Sequence, residues 1–102
     1  MKWDDVLKAA GMETEFLPAR SVESLAGRKL WLTDAVRVDT RFGRRIRFTV
    51  RLADGERCVV FLSPNPVRDV AADLLANPDV DEIGPVTFVR NGRRFDIIAV
   101  DN

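Results

Sequence analysis

The chain has 102 residues, with sixteen basic side chains, sixteen acidic ones and no net charge, which is the size of one ordinary domain. It contains no histidine and a single cysteine, so it cannot supply a Cys/His zinc site, a Ser-His-Asp triad or an internal disulfide. No apolar run approaches the ~20 residues of a membrane helix, and Asp4 and Asp5 stand where a signal peptide would be apolar. We expect a soluble, cytoplasmic protein that is not an enzyme, needs no cofactor or metal and has no membrane partner.

Positive charge is concentrated in one part of the chain. Residues 27–57 carry nine basic and four acidic side chains, a net charge of +5. The segments on either side are negative, at −2 for residues 1–26 and −4 for residues 58–89. A basic block inside a neutral protein predicts one positive face, which attracts phosphates and other anions.

The N-terminal part, residues 1–26, is predicted to hold a short helix and an extended segment. Trp3, Val6, Leu7 and Ala10 are spaced as one face of a helix, and Gly11 follows where a helix would end. The rest is interrupted by Pro18 and predicts no regular structure. We expect this part to be the contact for a second copy or a protein partner, and residues 27–102 to form the main domain.

Three strands are predicted next, because the apolar pattern changes to a period of two. The first, Leu30–Val38, is expected to place Leu30, Leu32, Val36 and Val38 on one face and Trp31, Thr33, Ala35 and Arg37 on the other. Asp34 interrupts the apolar face, which predicts a bulge or a bend there. The second strand, Arg45–Leu52, alternates most regularly, and the third is Arg57–Leu62.

A helix and a final hairpin complete the predicted elements. Asn65 and Pro66 are a good N-cap and first helical residue for a helix that ends near Asn77-Pro78. Its expected core stripe is Val67, Val70, Ala71, Leu74 and Leu75, while Arg68, Asp69 and Asp73 should face water. Strands at Val86–Val89 and Arg93–Val100 are joined by Asn91-Gly92, which is a hairpin signal.

The resulting order, three strands, a helix and two strands, is the order of the OB-fold, a five-stranded barrel. We expect the closed barrel, with the helix plugging one end, because closure buries the strand edges. An open sheet with one helix on its face is the alternative.

From Gly27 onward the chain resembles small OB-fold single-stranded-DNA-binding proteins, including phage-encoded ones. The residues that carry the resemblance are Leu30–Val36, Thr40–Val50 and Asp54-Gly55. It implies that single-stranded DNA, or alternatively RNA, lies across the second and third strands. The loop after the first strand and the loop after the fourth would flank it.

Single-strand binding needs cations for phosphates and rings for bases. Arg45, Arg47 and Arg51 share one face of the second strand with Thr49, at positions that are about 7 Å apart, and Phe42 lies in a turn between arginines. The candidate binding residues are Trp31, Arg37, Arg41, Phe42, Arg44, Arg45, Arg47, Arg51, Arg57, Phe61, Arg90, Arg93 and Arg94.

A second hypothesis remains open. The same basic face would also suit an acidic protein partner, in an interaction or structural subunit of a phage or replication assembly. Catalysis is not expected, because strand alternation separates Asp34 from Asp39 and no Gly-rich phosphate loop is present.

Overall fold

The computed structural model describes residues 17–100. The predicted helix over Trp3–Ala10 lies outside these residues. The elements are α1 (Val22–Leu25), β1 (Leu30–Thr40), β2 (Gly43–Leu52), β3 (Arg57–Leu62), α2 (Pro66–Leu75), β4 (Ile83–Asn91) and β5 (Arg94–Ala99). The predicted order of strands and helix is confirmed, and the short helix α1 was not predicted. None of the helices in the described part of the chain is long and apolar enough to cross a membrane.

The strands form one antiparallel sheet in the order β3-β2-β1-β4-β5. The protein is therefore mainly β, as expected. The sheet is not closed, however, because β3 and β5 form its two edges and do not pair with each other. The closed barrel is not confirmed, and the architecture is that of an open sheet with a helix packed on it.

Other groups take the place of a β3–β5 ladder at the two edges. At β3, the Val59 N–H donates to the Pro18 carbonyl and the Arg20 N–H donates to the Val59 carbonyl, both at 2.9 Å. Near β5, the Arg68 guanidinium donates to the Ser63 carbonyl at 2.8 Å and to the Phe95 carbonyl. These contacts satisfy backbone groups that barrel closure would otherwise pair.

The core lies between one face of the sheet and the helices. The regular alternation of β2 is confirmed, since Ile46, Phe48, Val50 and Leu52 are all buried. The same cluster includes Leu25 of α1 and Phe88 of β4, both buried. Through Leu25 the segment before β1 is fastened to the core.

The predicted bulge is present, since the β1–β2 register shifts between Leu32 and Asp34. The effect of this bulge on which side chains of β1 face the core was not predicted. Beyond the bulge, Arg37 pairs with Ile46 on the core side, whereas Val36 and Val38 pair with Arg47 and Arg45 on the outer side. The prediction that Val36 and Val38 continue the core face is wrong, because the extra residue reverses the alternation.

The predicted core face of α2 is confirmed at Leu75 and Ala71 but is wrong at Val67, Val70 and Leu74. Its buried residues are Arg68, Ala72 and Leu75, and Val67 and Val70 are 63% and 58% exposed. Asn65 caps the first turn by accepting from the Arg68 N–H at 2.8 Å, and the Arg68 side chain turns inward to the backbone carbonyls of Ser63 and Phe95. Burial lowers the pKa of the Arg68 guanidinium. These polar contacts set the rotation of the helix, and Leu74 is left half exposed.

Candidate functional site

The outer side of β1, β2 and β3 carries most of the predicted site, and we call it the arginine face. Cross-strand pairing places Arg51 between Trp31 and Arg57, and Arg47 between Val36 and Phe61. Arg45 lies beside Val38 at the next outward position of β2. The period-two spacing of the β2 arginines therefore produces a row on one surface, as the sequence predicted.

Arg45 and Arg47 differ from Arg37 and Arg51 in their charged surroundings. Within residues 17–100 neither guanidinium has a carboxylate within ion-pair distance, and Arg45 donates only to the carbonyl of its neighbour Arg44, at 2.8 Å. Both residues are half-buried. Two cations held by the sheet and not neutralised are suited to binding an anion.

Phe61 supplies a ring next to these cations. It lies directly opposite Arg47 on β3 and is 47% exposed. Directly opposed side chains on an antiparallel pair are about 4.5–5.5 Å apart at Cβ. The prediction that Phe61 lies beside the strand-two arginines is confirmed.

The β1–β2 turn presents a second ring. Phe42 is 71% exposed, and the Arg41 guanidinium lies 4.9 Å from its ring centroid. The Thr40 hydroxyl accepts from the Phe42 N–H at 3.1 Å and donates to the Gly43 carbonyl at 2.8 Å. Gly43 has a φ of +101°, which a side chain would oppose. The turn is therefore fixed locally while the ring projects into solvent.

The side chains of Trp31 and Arg51 contact each other, so neither is free to bind a ligand in this arrangement. The Arg51 guanidinium lies 4.4 Å from the Trp31 ring centroid and donates to the Glu82 carboxylate at 2.8 Å. A Cβ added at Gly84 would lie 2.7 Å from Trp31 Cδ1, so the absence of a side chain there allows the ring its place. A base could stack on Trp31 only after Arg51 had moved.

Arg37 is not on the arginine face. Its guanidinium is bound by two carboxylates of α2, Asp73 at 2.9 Å and Asp69 at 3.5 Å. The hydrogen bond with Asp73 raises the pKa of Arg37. By strand alternation Arg37 lies on the helix side of the sheet and Arg47 on the outer side, although Arg37 and Arg45 line one cleft together.

Arg44, like Arg37, has an acidic partner, Asp39 at 3.4 Å, and both side chains are highly exposed. These two ion pairs help to line a cleft of about 460 Å³ between the β1–β2 hairpin and α2. Arg45 and Val38 also line this cleft, so the cleft, which carries charges of both signs, adjoins one end of the arginine face.

The β4–β5 turn holds the remaining arginines. Arg94 lies 3.6 Å from Asp96, the Arg90 Nε donates to the Gly92 carbonyl at 3.1 Å, and Arg93 has no carboxylate partner in the described range. Because β1 and β4 are antiparallel and pair near Leu30, this turn and the Phe42 turn extend from opposite ends of their ladder. The structure therefore does not bring the two sets of loop residues together.

Two acidic residues lie on this side of the sheet, and their position near the arginines was not predicted from the sequence. Asp34 is exposed and lies opposite Thr49, within the arginine face, and Glu82 reaches it from the segment before β4. The bulge that places Asp34 there was predictable, but the approach of Glu82 depends on the β1–β4 pairing.

No family model matches the chain, and comparison with curated proteins and solved structures gave no significant match.

Proposed function

We propose that the chain is a non-catalytic protein that binds single-stranded nucleic acid, primarily DNA, on the arginine face. The observation that carries this proposal is the pair of guanidinium groups of Arg45 and Arg47, which have no carboxylate partner among residues 17–100. Phe61 lies opposite Arg47, and the turn that carries Phe42 precedes Arg45 in the chain. Cations that contact phosphates and aromatic rings that stack on bases are the two components that single-strand binding uses.

The spacing supports a strand of nucleic acid that runs along β2. Arg45 and Arg47 are about 7 Å apart, and the Phe42 turn lies roughly 10 Å beyond Arg45. With Arg41 at the turn, three cations on this path have no acidic partner among residues 17–100. Arg51 and Arg44 are already paired and contribute less, because a phosphate would have to displace Glu82 or Asp39.

The architecture is compatible with the OB-fold, which we include in the proposal. Opening a five-stranded barrel between β3 and β5 gives the observed order β3-β2-β1-β4-β5, and OB-folds are partly open barrels. The helix α2 follows β3 in the chain, as it does in that fold.

The test is a titration of fluorescently labelled oligo-dT at several salt concentrations. If three cations contact phosphates, the logarithm of the binding constant should fall with the logarithm of salt with a slope of roughly −2. The matching duplex should bind more weakly, because paired bases cannot stack on Phe42 or Phe61. Absence of oligo-dT binding at low salt would contradict the proposal.

An acidic protein segment is the second candidate ligand. The small number of accessible rings favours this alternative. Arg51 covers the ring of Trp31, so Phe42 and Phe61 are the accessible rings among the candidate residues. A poly-glutamate peptide that bound as tightly as oligo-dT, and competed with it, would favour this alternative.

A further inference from the structure

The outer edge of β5 has free backbone groups. The Val100 N–H donates to the Pro85 carbonyl at 3.1 Å, so even-numbered residues of this strand direct their backbone groups toward β4. Odd-numbered residues therefore point outward, which agrees with the Arg68 contact to the Phe95 carbonyl from outside. Within residues 17–100, no segment pairs with the outward groups of Ile97 and Ala99.

This edge differs from the edge at β3, which the segment Pro18–Arg20 covers. Natural edge strands are usually protected by lysine, proline, a bulge or a covering segment. In the described part of the chain the end of β5 has none of these over Ile97, Ile98 and Ala99, and Ile98 is 46% exposed. An apolar edge of this kind can accept another strand.

The helix α2 leaves room beside the edge. Asp69 and Asp73 on one flank of the helix face Arg37, and the opposite flank carries Val67. A cleft of about 340 Å³ lies between α2 and β5, with Asn65, Val67, Arg68, Asp96 and Ile97 in its wall. A strand added to β5 would find space there for a small side chain beside Val67 and Ile97.

We propose that a second copy of this chain occupies the edge, through antiparallel β5–β5 pairing about a two-fold axis at Ile98. This register sets Ile97 of each copy opposite Ala99 of the other, so the free N–H and C=O groups form four hydrogen bonds. Ile98 then faces Ile98 of the second copy as a pair without backbone hydrogen bonds, where side chains are closest. The contact is the same for both copies, as a two-fold interface requires.

The sequence of β5 is complementary to itself in this register. Asp96 lies opposite Val100 of the second copy, so no two like charges are directly opposed. The small side chain of Ala99 enters the cleft beside Val67 of the other copy. Arg68 at Phe95 limits pairing to the C-terminal half of the strand, and this register uses every outward group there.

The proposal has a structural consequence independent of nucleic-acid binding. A two-fold axis perpendicular to the joined sheet keeps equivalent faces on the same side. Both arginine faces would therefore lie on one surface of the dimer, at its two ends. The dimer can exist whether or not that surface binds a nucleic acid.

Analytical ultracentrifugation over a wide range of protein concentrations tests the proposal. Ile98→Lys places two like charges opposite each other, and Ala99→Pro removes an outward N–H without removing a bond to β4. Each should weaken self-association by about tenfold or more. The melting transition of each variant checks that the monomer folds, and either folded variant is sufficient for the test.

Val36→Lys is the matched control, because Val36 is 38% exposed on β1, away from the edge. It should leave the dimer unchanged. A wild-type chain that stays monomeric at every concentration would overturn the proposal. So would a dimer that tolerates the β5 variants, or one that Val36→Lys disrupts equally.

Discussion

Arg37 and Arg47 lie close together on paired strands but belong to different regions of the molecule. Arg47 pairs with Val36, the neighbour of Arg37, yet the two guanidinium groups are on opposite sides of the sheet. On the helix side, Arg37 is bound by Asp69 and Asp73. On the arginine face, Arg47 has no carboxylate partner among the described residues. The surrounding acids, and not the number of arginines, determine which cations remain available to a ligand.

Arg68 extends the comparison to a third environment. Its guanidinium is buried and donates to backbone carbonyls between the end of β3 and β5. It acts as part of the scaffold. We therefore expect substitutions on the helix side to change the free energy of unfolding, and substitutions on the arginine face to change binding.

The largest expected effect is on the helix side, at Leu75. Leu75→Ala should lower the free energy of unfolding by roughly 2–5 kcal/mol, because it removes a buried side chain from the core. Leu74→Ala, at the neighbouring exposed position, should cost less than ~1 kcal/mol. Chemical denaturation of both variants measures the difference, and equal losses would contradict the observed rotation of α2.

Arg68→Ala should come next, with a loss of roughly 1–3 kcal/mol, because the Ser63 and Phe95 carbonyl groups lose the buried guanidinium that donates to them. Arg68→Lys should restore only part of the stability, since a single ammonium cannot replace the planar fork. Oligo-dT affinity should be unchanged at a temperature where both variants are folded. A loss of affinity equal to the loss of stability would place Arg68 in the binding site.

Phe42→Ala tests the ring at the β1–β2 turn. Stacking on one base is worth ~1–3 kcal/mol, so affinity for oligo-dT should fall by about 5- to 150-fold. The Tm should change little, because the ring is mostly exposed. Phe42→Leu keeps an apolar side chain without the ring and should lose similar affinity. Unimpaired binding by both variants would exclude a stacking role.

Much of the fold was predictable from short-range patterns. Alternation identified β2 and its buried residues, the Asp-Gly and Asn-Gly turns marked the hairpins, and Asn65-Pro66 marked the start of α2. These signals are local, because each depends on the conformational preferences of a few adjacent residues. The exposed position of Phe42 and the location of Phe61 beside Arg47 followed from the same patterns.

The errors came from interactions between distant parts of the chain. The side of α2 that is buried depends on the bond from Arg68 to Phe95, 27 residues away. The face of Arg37 depends on a bulge whose exact residue alternation alone does not fix. The pairing of Arg51 with Glu82 and the open β3–β5 seam likewise depend on which strands become neighbours.

The most direct test of the account compares the salt dependence of oligo-dT binding between two variants. Arg45→Ala/Arg47→Ala should make the slope shallower by about 1.4, because each lost phosphate contact removes about 0.7 for a single strand. Arg37→Ala should leave the slope at its wild-type value, since that cation is already neutralised by Asp69 and Asp73. An unchanged slope in the double variant, or an equal change in Arg37→Ala, would contradict the assignment of the arginine face as the binding surface.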